Sequence, residues 1–447
     1  MEEKLKELKE IMGTLSDLGH AIATLGWDQE AYMPPGGVET RGRSLATLGQ
    51  MSQEIGTDEK VGKLIADLEP WAAQQDPDSD DARLIVIARR GYDKAVKVPP
   101  EMVAELAMLS TEANAAWREA REKSDFAIFA PFMERIVEFN QRYADLFKPY
   151  EHAYDVLLDD YEPMMKTEDV KKIFAGIRPL QVELIEKIAA AKQVDDSVLK
   201  RTYPTAGQLA MGEEIARAIG YDFKRGRQDA TTHPFSTNLG YGDQRITYRV
   251  DEKFFNSYIF SIMHEAGHAM YEQGIPKSLS RTVLYGGTSL AIHESQSRMW
   301  ENLVGRSLPF WEWYYPKLQA RFPEQTKGVK MEDFYKAINR VEPSFIRVEA
   351  DEATYNLHIM LRLEIEIGLL EGTIKVNELP EVWNSKFEDY LGIRPKNDAE
   401  GCLQDVHWSM GLFGYFSTYA LGNLVSAQLW EKISEDIPDM DGKISKG

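Results

Sequence analysis

The chain has 447 residues, of which 43% are hydrophobic and 11% aromatic, enough apolar area for a large core, which excludes a disordered or low-complexity protein. Its 52 Lys and Arg against 72 Asp and Glu leave a formal charge of −20. That charge repels phosphate backbones and anionic lipid, so neither nucleic acid nor a membrane is an expected partner. The single cysteine, Cys402, excludes a disulfide within the chain and any thiolate cluster, so a bound metal must sit on His, Asp or Glu.

The chain opens MEEKLKELKEIMGTL, a helical pattern of alternating charge where a signal peptide needs a basic start and an apolar run. No stretch approaches the ~18 uninterrupted apolar residues of a membrane span. A soluble, cytoplasmic protein is expected. Amphipathic helical tracts are predicted over 2–25, 36–55, 80–97, 126–150, 168–193, 254–273, 331–341 and 345–371, and another begins just after Pro99-Pro100 with Met102, Leu106 and Leu109 on one face. One region differs. ATTHPFSTNLGYGDQRITYRV, from Ala230 to Val250, sets Asn238, Gly240, Gly242 and Asp243 between two extended runs and predicts a hairpin-like β element. With no fixed-period repeat and no long linker, the expected fold is mostly α, a single large helical domain, with two lobes around a cleft as the open alternative.

Tract 254–273 carries His264, Glu265 and His268 as HExxH. Residues four apart share a helix face, so two imidazoles can point at one cation while Glu265 reaches a water bound to it. A catalytic zinc takes three protein ligands and lowers its water's pKa from ~16 to ~7. The pattern also arises by chance, as two histidines on the face of a half-buried helix. A third ligand is offered by Glu294, 26 residues after His268 in the helical stretch LAIHESQSRMWE, Leu290 to Glu301. His293, about 100° round the helix from Glu294, reads as a support behind the metal site or a substrate-facing residue rather than a ligand. Glu301 and Asp251 read as solvated or capping charges.

These motifs together resemble the thermostable metallocarboxypeptidases named after carboxypeptidase Taq. Beside HEAGH at 264–268 and HESQ at 293–296, the family's patterns stand at HPF 233–235, DQRIT 243–247, IRVEAD 346–351 and GCLQDVHW 401–408, and LGWDQEAYMPPGG at Leu25 to Gly37 looks like its early segment. The likeness covers nearly the whole chain. It implies a mostly helical fold with a deep groove, similar to angiotensin-converting enzyme and the thimet-type oligopeptidases, with a small β-sheet beside the HExxH helix. It further implies a homodimer that removes single residues from peptide C-termini with broad specificity, using Zn2+ or sometimes Co2+.

Recognition of a free carboxylate suits the planar fork of arginine, and Arg347 and Arg245 are the candidates. Arg347 with Asp351 at i+4 also reads as an ordinary helix-surface ion pair, and Arg245 as a brace for the β element. His233 is expected in an edge strand where a peptide could add, and His407, beside Asp405, as a substrate contact or a brace of the groove. Tyr415 and Tyr419 resemble by position the tyrosines that donate to the oxyanion in related enzymes, and Tyr419 is preferred. The mechanism this implies puts metal on His264, His268 and Glu294 and the proton on Glu265. Its rivals are an endo-oligopeptidase or dipeptidyl carboxypeptidase, or a helical scaffold with a structural metal, which would want four protein ligands.

Overall fold

A computed structural model describes residues 1–447 and builds them almost wholly of helices around one three-stranded sheet. Local chemistry sets the helix limits. Asp80–Lys97 opens at Ser79, whose hydroxyl accepts from the Ala82 N–H, and closes with Lys94 and Lys97 beside its last carbonyls. Pro100–Lys123 starts on a proline, where the missing N–H has no partner to lose. The tracts expected at 2–25, 36–55, 168–193, 254–273 and 331–341 appear as Glu2–Ala31, Val38–Gly56, Thr167–Ala190, Phe255–Gln273 and Met331–Ile338.

Two tracts depart from expectation. The one at 126–150 divides into a turn of 3-10 helix, Phe126–Ile128, and the helix Ala130–Asp145. The one at 345–371 breaks before its helix, Glu352–Glu371: Arg347–Glu349 is a lone 3-10 turn, and the Asp351 carboxylate accepts from the N–H groups of Ala353 and Thr354. Arg347 is therefore not one helical turn from Asp351, because the first N–H groups of the helix need an acceptor and the aspartate supplies it. No helix is long and apolar enough to cross a membrane.

The sheet is richer than a hairpin. Its strands β1 (Gln228–Ala230), β2 (Ser236–Asn238) and β3 (Gln244–Tyr248) lie in the order β1-β3-β2. β2 and β3 pair antiparallel with Thr237 opposite Arg245, and β1 joins parallel with Asp229 opposite Thr247. The β2–β3 turn uses Gly240 and Gly242 at φ 123° and 88°, open only to glycine at low cost. His233 falls in the loop between β1 and β2, outside the edge strand where it was expected, because the Thr231 hydroxyl turns back onto the His233 carbonyl and Pro234 has no N–H to give a ladder.

Three hydrophobic cores organise the helices. The largest gathers Glu352–Glu371 with Trp383, Phe387, Trp408 and Phe416. A second surrounds Phe255–Gln273 with Tyr203, Trp311, Tyr314 and Phe334. A third is the N-terminal set Leu8, Ile65, Leu68 and Ile85, against which Val283 and Leu284 pack. The helix bearing Glu294, Leu290–Arg298, packs against Phe255–Gln273 on one side and Ser417–Asp436 on the other, which places it between the first two cores.

Candidate metal centre

Close helix packing gathers the site. At Gly267, inside HEAGH, a Cβ would lie 2.7 Å from Ser297 Cα and 2.8 Å from the Gln296 carbonyl, so only glycine lets Leu290–Arg298 approach so near. Gly422 does the same from the far side, where a Cβ would lie 2.7 Å from both Cβ and Cγ of Glu294. Squeezed between these glycines, Glu294 is 5% exposed and turns one carboxylate oxygen, Oε2, to 3.5 Å from His264 Nε2 and 3.3 Å from His268 Nε2. All three donor atoms lie within 4.8 Å of one another. Bonds of about 2.05 Å at tetrahedral angles separate donors by about 3.3 Å, so the two imidazoles and one carboxylate fit a small dication and leave an open position.

Each donor is held from behind. His264 Nδ1 lies 2.8 Å from Glu301 Oε2, and Arg298 reaches Glu294 Oε1 at 2.7 Å and Glu301 Oε2 at 3.2 Å. Glu301, expected as a solvated or capping charge, is instead a shielded partner of the metal-facing histidine, held well below the usual carboxylate range by Arg298 and His264 against the cost of burial. Its spacing carried the signal: seven residues from Glu294 is two helical turns, the same face. His268 Nδ1 lies 2.6 Å from His293 Nδ1, and His293 Nε2 lies 2.9 Å from Glu272 Oε1.

Burial alone would depress both imidazoles, yet Glu294 and Glu301 lift His264 to about 9, while burial first and then the neighbouring His264 drop His268 to about 4. Glu265, adjoining them, is pushed up to about 7 by burial first and then by Glu294 and Glu301, against the pull of His264 and Arg298.

A second network adjoins this one. Arg298 stacks over the Tyr355 ring at 4.2 Å, and the Tyr355 hydroxyl accepts from Arg347 Nη1 at 2.8 Å. Arg347 donates from Nε and Nη2 to Asp405 Oδ1 at 3.0 and 2.8 Å, and Arg362 clasps the other Asp405 oxygen. The ion-pair partner of Arg347 is thus Asp405, not Asp351. Its guanidinium lies 4.9 Å over the Tyr419 ring, and the Tyr419 hydroxyl is 3.3 Å from His407 Nε2. Burial, then Arg347, drops His407 to about 3, so it is neutral. His233 is exposed, and partial burial, then Arg249, Arg347 and Arg121, hold its pKa below the usual value. Arg245 is engaged elsewhere, paired with Asp243 at 2.7 Å and stacked 4.1 Å over Trp27, where it ties β3 to the first helix. A pocket of about 560 Å³ lined by Arg178, Glu364, Lys386 and Tyr390 contains none of these residues.

Two imidazoles one turn apart, a glutamate from the following helix and a buried second glutamate have the arrangement of the HExxH class of metal-dependent peptidases, with three groups that could hold a metal ion. Comparison with known proteins narrows this. The family model described as carboxypeptidase Taq (M32) metallopeptidase matches residues 7–447. Carboxypeptidase 1 of Bacillus subtilis is 41% identical over 99% of this chain and 88% of its own, and thermostable carboxypeptidase 1 of Thermus thermophilus is 41% identical over 100% and 88%. The crystal structure of the M32 carboxypeptidase from Deinococcus radiodurans superposes with a TM-score of 0.95 at 38% identity, over 99% of this chain and 89% of that one. The chain belongs to the M32, carboxypeptidase Taq, family of metallopeptidases. It is a metallocarboxypeptidase, and its family implies a divalent metal, for which the cluster His264, His268 and Glu294 has the donor set.

Proposed function

We propose that the protein releases single amino acids from the C-termini of peptides of varied sequence, with zinc, or cobalt in its place, held by His264, His268 and Glu294. One observation carries this reading: a three-donor cradle and an arginine with N–H groups to spare belong to one buried network, joined through Arg298 and Tyr355. Zinc in that cradle supplies the Lewis acidity that brings the pKa of water to about 7 and polarises the scissile carbonyl. Glu265 takes the proton of the attacking water on its carboxylate and returns it to the leaving amine. Arg347 holds the free carboxylate of the substrate with its two remaining N–H groups. Tyr419 donates its hydroxyl to the tetrahedral oxyanion, and neutral His407, hydrogen-bonded to it, keeps that hydroxyl aimed. His233, on its loop, is a further substrate contact, and β2, an edge strand of the sheet, suits addition of an extended peptide. Arg245 is the reserve candidate for the carboxylate. One domain with two lobes, one around each large core, is the proposed organisation, acting as a homodimer in the cytoplasm on the strength of the family likeness.

The test is an N-blocked peptide incubated with parent protein, with parent treated with chelator and resupplied with zinc or cobalt, and with Glu265→Gln. Single amino acids should appear from the parent, cease on chelation and return with metal. Dipeptides or internal fragments would mean a dipeptidyl carboxypeptidase or an endopeptidase instead. Glu265→Gln should keep its metal and lose at least ~100-fold in turnover, since an amide cannot accept the proton.

A further inference from the structure

The two imidazoles facing Glu294 lean on unlike supports. His264 reaches a carboxylate directly, through Glu301. His268 meets a second imidazole, His293, at 2.6 Å between Nδ1 atoms, and only beyond it, at 2.9 Å from His293 Nε2, a carboxylate, Glu272. The other Glu272 oxygen accepts from Asn238 Nδ2 at 2.8 Å. Chemistry fixes every hydrogen in this row. With a cation held on Nε2 of His268, the hydrogen of its neutral ring sits on Nδ1, and two Nδ1 atoms so close cannot both carry one. His293 Nδ1 is therefore the bare acceptor, and His293 Nε2–H donates to Glu272.

The row is held rigidly. Tyr271 stands edge-on to the His293 ring at 5.1 Å between centroids, and Gly287 lies so close that a Cβ there would fall 2.5 Å from His293 Cδ2. Glu272, four residues past His268 on the same helix, is 6% exposed. A buried carboxylate with both oxygens engaged in hydrogen bonds does not turn away.

We propose that His293, Glu272 and Asn238 form a positioning relay that fixes the ring orientation and tautomer of His268, while Glu301 alone does so for His264. The inference rests on the reading of His264, His268 and Glu294 as metal ligands. A neutral imidazole passes on less negative charge than a carboxylate in direct contact, so the two imidazoles are unequal donors, His264 the stronger. Partners of this kind commonly set metal affinity by 10- to 100-fold.

The test measures zinc affinity of the full chain by competition with a chromophoric chelator, together with the visible spectrum of the cobalt-loaded protein and the melting temperature of the metal-free protein. His293→Phe keeps a ring against Tyr271 and Gly287 but has no nitrogen, and should weaken zinc binding roughly 10- to 100-fold. Glu272→Gln should weaken it roughly threefold or more, and the cobalt spectrum should shift in both. Because Glu272 acts through His293, adding Glu272→Gln to His293→Phe should cost nothing further. Affinities within twofold of the parent, or losses that multiply in the double variant, overturn the relay. If the metal-free phenylalanine variant melts early, Glu272→Gln, which preserves shape, decides alone. Glu294→Ala separates the two readings: parent-like zinc binding there overturns the ligand set itself, whatever the relay variants do.

Discussion

Arg347 is 4% exposed and spends three of its five N–H groups inside the protein, two on Asp405 and one on the Tyr355 hydroxyl. Two remain for a substrate carboxylate. An ammonium cannot serve Asp405, Tyr355 and a substrate at once, so Arg347→Lys should act in two ways. It should lower stability by about 1–3 kcal/mol, because a buried carboxylate and hydroxyl lose partners, a larger cost than an exposed ion pair on a helix would carry. It should also cut kcat/KM on free-acid peptides by roughly 10-fold or more, with much less effect on C-terminally amidated ones. The ratio of the acid to the amide loss is the readout, since a purely structural role lowers both alike and removes carboxylate recognition from Arg347.

Helices bring His264, His268 and Glu294 together through glycine, and Gly422 lies outside every motif that marked the site in sequence. Gly422→Ala places a methyl 2.7 Å from the Glu294 side chain, which must turn off its line to the imidazoles. Zinc affinity should fall at least about 10-fold, read by chelator competition, while the helix, which favours Ala over Gly by about 1 kcal/mol, keeps its place. Parent affinity would show that Glu294 has room to spare. The same comparison marks what sequence could and could not convey. HExxH and the Glu294 helix were legible because helical spacing alone aims those side chains. The helices Leu308–Arg321 and Leu379–Leu391 escaped a reading that treats proline as punctuation, since each carries one in its first turn and the former another, Pro316, within. The row from His293 to Asn238 escaped because it depends on which elements touch, and no spacing within one segment states that. Arg347 was found for its charge, but its partner Asp405 lies 58 residues on, beyond any local pattern.

At the scale of the molecule, Glu366 ties distant parts of the largest core. It accepts from the Tyr154 hydroxyl, the Trp408 indole and the Gly414 N–H, fastening the loop between His407 and Tyr419. Burial nonetheless wins over these three donors and pushes its carboxyl up to about 7 from the usual 4.5. The folded state therefore binds this proton more tightly than the unfolded one, and the stability it contributes is full below pH 4.5 and lost as pH rises through 7. Unfolding free energies of the parent should fall between pH 4.5 and 8 by on the order of 3 kcal/mol more than those of Glu366→Gln, which carries no titrating group there. Equal slopes would mean that Glu366 is ionised throughout.

Asp405 carries one negative charge between two arginines, so Arg347, Asp405 and Arg362 sum to +1 within a body of formal charge −20. An acidic peptide approaching from bulk solvent meets a repelling field over most of the surface and an attracting one at this triad, where the proposed role of Arg347 would seat its carboxylate. Dissolved salt thins the first over about 10 Å and barely reaches the second, which is shielded from water. Capture of acidic peptides should therefore quicken as ionic strength rises, the opposite of ordinary charge-steered association, and stopped-flow binding at low and high salt to the inactive Glu265→Gln protein would register it. Slower capture at high salt would mean that attraction at the mouth, rather than repulsion by the surface, governs the encounter.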